Sequence, residues 1–217
     1  MNELSRRQWL AGATSALGAG WTASAASLSR AADFSAEEPF GYCLNTSTLR
    51  GQKLSIVEEV EIAAQAGYQG LEPWVEELDR YVKEGGNLKD LNKRIHDHGL
   101  RIPSSIDFFE WIVDDQDRRR KGLEAARHSM DLVRQIGGQH IAAPPAGATD
   151  QAGLDFRVIT QRYRALLDLG EQLGVIPEVE LWGFSKTLSR LGEVMLVAID
   201  SRHPKACILP DVFHLYK

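Results

Sequence analysis

The sequence predicts an α/β protein of the (β/α)8 TIM-barrel type that contains about six of the eight βα units. Three observations support this prediction. From residue 39 onward, short apolar runs alternate with longer segments of helical periodicity. Polar and aromatic residues lie at the carboxyl ends of many predicted strands rather than of one. The chain after residue 32 has about 185 residues, against roughly 250 in a typical barrel.

The predicted elements follow from local patterns, taken in order along the chain. Residues 40–49 form the first predicted strand, and 55–66 the first helix, because Ile56, Val60 and Ala63 share one face and Gly67 follows as a cap. The remaining strands are predicted at 68–74, 100–108, 139–144, 176–182 and 206–212. The remaining helices are predicted at 87–98, 117–136, 156–173 and 188–199. Six strands with five intervening crossovers indicate a right-handed parallel arrangement.

A barrel is favoured over an open nucleotide-binding sheet. The first turn, at 45–51, lacks the G-x-G-x-x-G pattern that a dinucleotide-binding sheet needs. An open sheet also concentrates its site at one switch point, whereas a barrel uses the carboxyl ends of many strands. Here the residues at predicted strand ends are Asn45, Glu72, Trp74, Asp107, Glu180, Trp182, Asp211 and His214.

The composition is that of a soluble globular protein. Of the 217 residues, 43% are hydrophobic and 25% charged, the formal net charge is -5, and there are two cysteines. These values exclude a disordered chain, a collagen and a disulfide scaffold. The acidic balance offers no basic surface for nucleic acid, which we therefore do not expect as a partner.

Residues 1–32 differ from the rest of the chain and predict an export signal. Arg6 and Arg7 are paired, an Ala- and Gly-rich stretch follows, and small residues lie at 23–25. This order is typical of a twin-arginine signal and predicts a periplasmic or secreted protein whose folded domain covers 33–217. The apolar stretch is shorter than the roughly 20 residues that span a bilayer, so we expect no stable membrane anchor.

Two segments contain residues that could bind a metal ion or take part in catalysis. Glu180 lies within an apolar strand, where a buried carboxylate needs a partner or a metal; a solvated strand-end Glu or an Arg pair is the alternative. Asp211 ends the next strand, and neighbouring strands lie roughly 4.8 Å apart, so the two carboxylates can share a divalent cation. His214 follows three positions later, although a capping or core histidine would fit the same spacing.

Together the two segments resemble the xylose isomerase-like barrel family of sugar isomerases and epimerases, which also includes apurinic endonucleases. The resemblance rests on Gly67-Tyr68-Gln69-Gly70-Leu71-Glu72, on Glu180-Leu181-Trp182-Gly183-Phe184 and on Asp211-Val212-Phe213-His214. It implies one divalent metal, with Glu180 and Asp211 as the first two ligands and with His214 contacting substrate. The other two ligands would follow on strands seven and eight, beyond Lys217, so a chain ending there is expected neither to bind metal tightly nor to turn over.

The resemblance implies proton transfer on a sugar through an enediolate. Glu180 would be the base, and His214, Trp182, Glu72 and Asn45 would contact the substrate. The predicted export favours a free sugar, a polyol or a sugar acid over a phosphorylated sugar. The cofactor would be Mn or Mg, with Zn or Co as alternatives. Trp74 and Trp111 are further candidates for apolar walls or for the core. A homo-oligomer is compatible with the sequence.

Three other functions remain open at this point. A metal-free, catalytically inactive carbohydrate-binding barrel or fragment would keep the fold and lose the metal. The endonuclease branch needs further His ligands and a basic surface, which the net charge opposes. A glycosidase would use two strand-end carboxylates but gives no role to His214.

Overall fold

Strands and helices alternate along the chain as predicted. A computed structural model describes residues 39–217, so the predicted export signal lies outside the described residues. The strands are β1 (Cys43–Asn45), β2 (Gly70–Glu72), β3 (His140–Ala143), β4 (Ile176–Glu180) and β5 (Cys207–Leu209). The helices are α1 (Ile56–Gln65), α2 (Val75–Lys83), α3 (Leu88–Asp97), α4 (Gln116–Gln135), α5 (Phe156–Leu173), α6 (Leu191–Asp200) and α7 (Val212–Tyr216), with a 3-10 helix at Thr46–Gln52.

The strands form a parallel barrel wall in chain order. β1 pairs with β2, and β3 pairs with β4, which pairs with β5, all in parallel. The third predicted strand lies between the two sheets but is not a regular ladder. Arg101 makes a parallel bridge to Gly70 of β2, and Ile106 makes one to Trp74 just after β2. The Ser105 carbonyl accepts the Ala142 amide of β3 at 2.9 Å. Pro103 has no N–H to donate, which explains the interruption.

Two local differences from the predicted elements affect the mouth of the barrel. The first strand is shorter than 40–49, because the Asn45 side chain accepts the Ser47 amide at 3.0 Å and begins the 3-10 helix. Helix α2 was not predicted. It begins where the Glu77 carboxylate accepts the Trp74 amide at 3.0 Å, and it buries Leu78 against the core. A segment to which the sequence analysis assigned no element is therefore a helix that contributes to the core.

The core lies between the wall and the surrounding helices. Tyr163 of α5 is fully buried, and its hydroxyl lies 2.9 Å from the Pro177 carbonyl of β4 and 2.8 Å from the Cys207 carbonyl of β5. This hydroxyl ties β5 to its neighbour. Among the described helices, none has the length and apolar character to cross a membrane.

The two outer strands of the described wall are β1 and β5, and apolar side chains are exposed beside both. Phe40 and Tyr42 precede β1, and α6 and α7 expose Leu191, Met195, Leu196, Ile199, Val212, Phe213, Leu215 and Tyr216. Exposed apolar surface at open strand edges was expected for a wall of six strands.

Candidate functional site

The site lies at the carboxyl ends of β4 and β5. Glu180 is the last residue of β4 and pairs in register with Leu209, the last residue of β5. Asp211 follows β5 and caps α7, because its Oδ1 accepts the Phe213 amide at 2.7 Å. The first turn of α7 returns His214 to Asp211, with His214 Nε2 4.0 Å from Asp211 Oδ2. The expected strand end at 212 is therefore a helix start.

Glu180, Asp211 and His214 form a cluster of three potential metal ligands. One ligand atom from each residue lies within 4.8 Å of the others, and ligands on opposite sides of a cation are roughly 4.2 Å apart. Small side-chain movements would therefore bring all three to bonding distance. Only 6% of Glu180 and 8% of His214 is exposed, and His214 Nδ1 is buried without a hydrogen-bond partner. Such a donor set fits a divalent cation.

Glycine is required at position 183 for this cluster to form. A Cβ atom on Gly183 would lie 2.1 Å from the carbonyl oxygen of His214. Since no side chain fits there, the turn after β4 can approach α7 closely only because residue 183 is glycine. This contact is the structural reason for glycine within the segment Glu180-Leu181-Trp182-Gly183-Phe184.

The electrostatics of the cluster favour a bound cation. Burial, followed by the negative charges of Asp211, Glu72 and Glu178, raises the pKa of Glu180 to about 8. The neighbouring Trp182 side chain opposes this rise, although its Nε1 is buried and meets no acceptor with hydrogen-bond geometry within 39–217. Burial lowers the pKa of His214, so its neutral, metal-binding form is favoured. The described residues also place no Arg in ion-pair contact with Glu180.

A second polar group lies across the mouth, at the ends of β1 and β2. The Asn45 amide donates to Glu72 Oε2 at 2.7 Å, and Asn45 Oδ1 accepts the Trp74 indole N–H at 3.1 Å. Burial, and to a lesser degree Glu178 and Asp211, raises the pKa of Glu72. The charge of Glu72 contributes to the raised pKa of Glu180, and the charge of Asp211 to that of Glu72, so the two polar groups lie within electrostatic range of each other.

Aromatic rings connect the two polar groups. The ring centroids of Trp74 and Phe108 are 4.9 Å apart, those of Phe108 and Trp182 5.8 Å, and those of Trp182 and Phe184 5.0 Å. The Trp182 centroid lies 5.6 Å from that of His214. We call Trp74, Phe108, Trp182 and Phe184 the aromatic row.

The structure brings together all six residues predicted for the site, namely Asn45, Glu72, Glu180, Trp182, Asp211 and His214. Their roles as ligand, base or substrate contact stay predictions. Asp107 does not join them, because it accepts from Ser129 of α4, and Trp111 is a fully buried core residue. Sequence reasoning missed Phe108 and the role of Gly183, although both lie within or directly after predicted strands.

Parallel strands in chain order and a polar site at their carboxyl ends define a TIM-barrel-type protein. The family model described as xylose isomerase-like TIM barrel matches residues 60–217. The chain belongs to this family, which includes isomerases and epimerases. No curated protein matches its sequence.

Solved structures share this fold. The probable 3-DHS dehydratase AsbF from Bacillus anthracis, involved in petrobactin synthesis, has a TM-score of 0.71 at 18% identity, covering 82% of this chain and 65% of that chain. The IolI protein with a bound zinc atom has a TM-score of 0.70 at 17% identity, covering 82% of this chain and 64% of that chain. D-Psicose 3-epimerase from Clostridium cellulolyticum H10, with D-tagatose, has a TM-score of 0.69 at 16% identity, covering 82% of this chain and 65% of that chain. The chain thus spans slightly less than two thirds of each of these proteins.

Proposed function

We propose that this chain carries the metal-dependent proton-transfer site of a sugar isomerase or epimerase, with an unphosphorylated sugar or polyol as substrate. The observation that carries the proposal is the cluster of Glu180, Asp211 and His214, two of them buried, at the carboxyl ends of adjacent strands. Membership of the xylose isomerase-like family supports the reaction class, and an epimerase and a zinc-binding protein share the fold.

Glu180 and Asp211 would hold the cation, which when bound supplies a Lewis acid that polarises the substrate carbonyl. Asp211 has one carboxylate oxygen engaged by the Phe213 amide, which leaves the other oxygen for the cation. Carboxylate and imidazole donors favour Mn or Mg, with Zn or Co as alternatives.

Glu180 would take the proton next to the carbonyl. Binding of the cation would displace the proton from Glu180 and leave it as the carboxylate that a base must be. His214 has two roles open to it. The resemblance assigns it to a substrate oxygen, whereas its position beside both carboxylates makes it a third ligand within this chain. The sequence analysis counted only Glu180 and Asp211 as ligands within this chain. His214 would be a third ligand, which favours metal binding by residues 39–217 themselves.

Metal titration of the full chain tests the cation site. We expect one Mn²⁺ per chain by isothermal calorimetry. Glu180→Gln and Asp211→Asn should each abolish this binding, because each removes a charged ligand without changing side-chain shape. Glu178→Gln is the matched control, because Glu178 lies on the same strand but outside the cluster and accepts from Ser104 at 2.8 Å. Equal loss in all three variants, or no binding by the parent chain, would contradict the site.

Proton exchange tests the reaction class. Ketohexoses and ketopentoses are incubated with the Mn²⁺-loaded chain in deuterated water, and exchange at the carbon next to the carbonyl is followed by NMR. We expect exchange at this carbon without net epimer formation, because removal and return of one proton needs only Glu180; Glu180→Gln should abolish the exchange. Sugar binding without exchange and without metal binding would instead favour the inactive carbohydrate-binding barrel.

We also propose that residues 1–32 direct export. Fusion of these residues to a reporter that is active only when exported folded should give a signal that Arg6→Lys together with Arg7→Lys abolishes. Export that persists in the double variant would overturn the twin-arginine assignment.

A further inference from the structure

The aromatic row differs from the aromatic residues of the core. Trp111 and Tyr163 also contact each other, with centroids 5.8 Å apart, but both are fully buried. In the row, 38% of Phe108 and 58% of Phe184 is exposed. Large aromatic side chains that contact one another at the mouth of a barrel and remain open to solvent are typical of a binding surface rather than of packing.

The row extends beyond the space that one sugar ring needs at Glu180. A ring beside Glu180 would reach Trp182 and Phe184, which lie on the turn after β4. Phe108 follows residues 100–106, and Trp74 follows β2, so the row joins side chains from the ends of three separate segments of the wall. Successive ring centroids along it are 4.9, 5.8 and 5.0 Å apart.

Polar groups lie at both ends of the row. At one end Trp182 contacts His214 of the ligand cluster. At the other end, the Trp74 indole N–H donates to Asn45 Oδ1, and the Asn45 amide donates to Glu72. The Arg50 guanidinium covers one face of Trp74, 3.6 Å from the ring centroid, and offers further donors beside it. Apolar faces flanked by hydroxyl-binding groups are what a chain of sugar rings requires, since each ring presents C–H faces and a polar rim.

We propose that the row binds a sugar chain of at least two rings, with the reducing-end ring, which opens to its carbonyl form, at Glu180 and a second, glycosidically linked ring on Phe108 and Trp74. The position of the reacting ring rests on the proposed function. The second ring takes no part in proton transfer. Its binding energy would orient the first ring, and its hydroxyl groups would meet Asn45 and Glu72. The preferred substrate is accordingly an unphosphorylated sugar of at least two rings, and a free monosaccharide would occupy only the part of the row beside Glu180.

Binding of matched sugars to the full chain tests this proposal. Cellobiose, maltose and lactose, each with a glucose ring at the reducing end, are titrated against glucose, with tryptophan fluorescence and calorimetry as readouts. We expect at least one disaccharide to bind about tenfold more tightly than glucose. Phe108→Ala should lower disaccharide affinity more than glucose affinity, because Phe108 would contact the second ring and touches the first only through Trp182, whereas Phe108→Leu should retain part of the disaccharide advantage.

Phe40→Ala is the matched control, because Phe40 is an exposed aromatic residue before β1 and outside the row; it should retain the disaccharide preference. Equal affinity for both sugar sizes, or equal loss of both affinities in Phe108→Ala with an unchanged melting temperature, overturns the proposal. Failure of Mn²⁺ binding and of proton exchange with an intact disaccharide preference would overturn the proposed reaction and leave the row as a site for sugar chains.

Discussion

Proton and cation should compete for Glu180, which makes metal affinity depend on pH in a defined way. Burial raises the pKa of this carboxyl to about 8, so the metal-free chain holds the proton at neutral pH and must release it to bind Mn²⁺. Affinity should therefore rise about tenfold per pH unit well below pH ~8, or roughly 50-fold between pH ~6 and ~8, and then level off. Burial lowers the pKa of His214, which favours the neutral, metal-binding form of that group.

Calorimetry in two buffers of different ionisation enthalpy measures both the affinity and the protons released. About one proton per Mn²⁺ should appear near pH 6.5 and almost none near pH 9. Glu178→Gln should retain this dependence, because Glu178 lies outside the ligand cluster. An affinity that is flat from pH 6 to 8 would refute the reasoning, since Glu180 would then be ionised in the free chain or would not bind the cation.

Three further substitutions test the support of the site. Gly183→Ala should displace His214 by at least about 1 Å, because the new Cβ would lie 2.1 Å from its carbonyl oxygen. This displacement should lower Mn²⁺ affinity about 10–100-fold. Gly192→Ala is the control and should leave Mn²⁺ affinity unchanged, because its Cβ would meet no atom within 4 Å. Tyr163→Phe should lower the free energy of unfolding in urea by about 1–3 kcal/mol, because it frees buried carbonyls of β4 and β5. Burial, and then the charge of Glu77, raises the pKa of Glu59 from 4.5 to about 7. Protonation of Glu59 in the native state therefore stabilises the chain below pH ~4.5, and the free energy of unfolding falls as pH rises through ~7. Glu59→Gln should make this fall shallower, measured by urea unfolding at several pH values.

The positions of the two carboxylates could be predicted because they depend on regular geometry. Residues at the ends of consecutive parallel strands meet at one edge, and Glu180 and Asp211 occupy such ends. Helix α5 was predicted with the bounds observed, Phe156–Leu173, because its apolar period and Gly174 define it locally.

Other features depend on contacts that the sequence does not display. Helix α2 follows a strand end directly, and its N-cap is Trp74 rather than a Ser, Thr, Asp or Asn, so the sequence shows no clear helix start there. Asp107 follows a predicted strand like the others, yet the chain turns it towards α4. His214 enters the ligand cluster only because Asp211 caps a short helix. The close approach of Gly183 to that helix is a tertiary contact with no periodic signature.

Binding of the cation should order both the ligand cluster and β5, the outer strand beside it. Within residues 39–217, β5 is an outer strand, and α7 holds Asp211 and His214 beside it, whereas Glu180 belongs to the inner strand β4. A cation bound to all three would tie α7 to β4, adding about 2.7 kcal/mol at a free metal concentration of 100 Kd. Hydrogen exchange should therefore slow in β5 and α7 on addition of Mn²⁺, with little change in α3. Slowing of equal size in α3 would mean that the ion stabilises the whole domain without fixing the edge, and no slowing in α7 would mean that His214 is not a ligand.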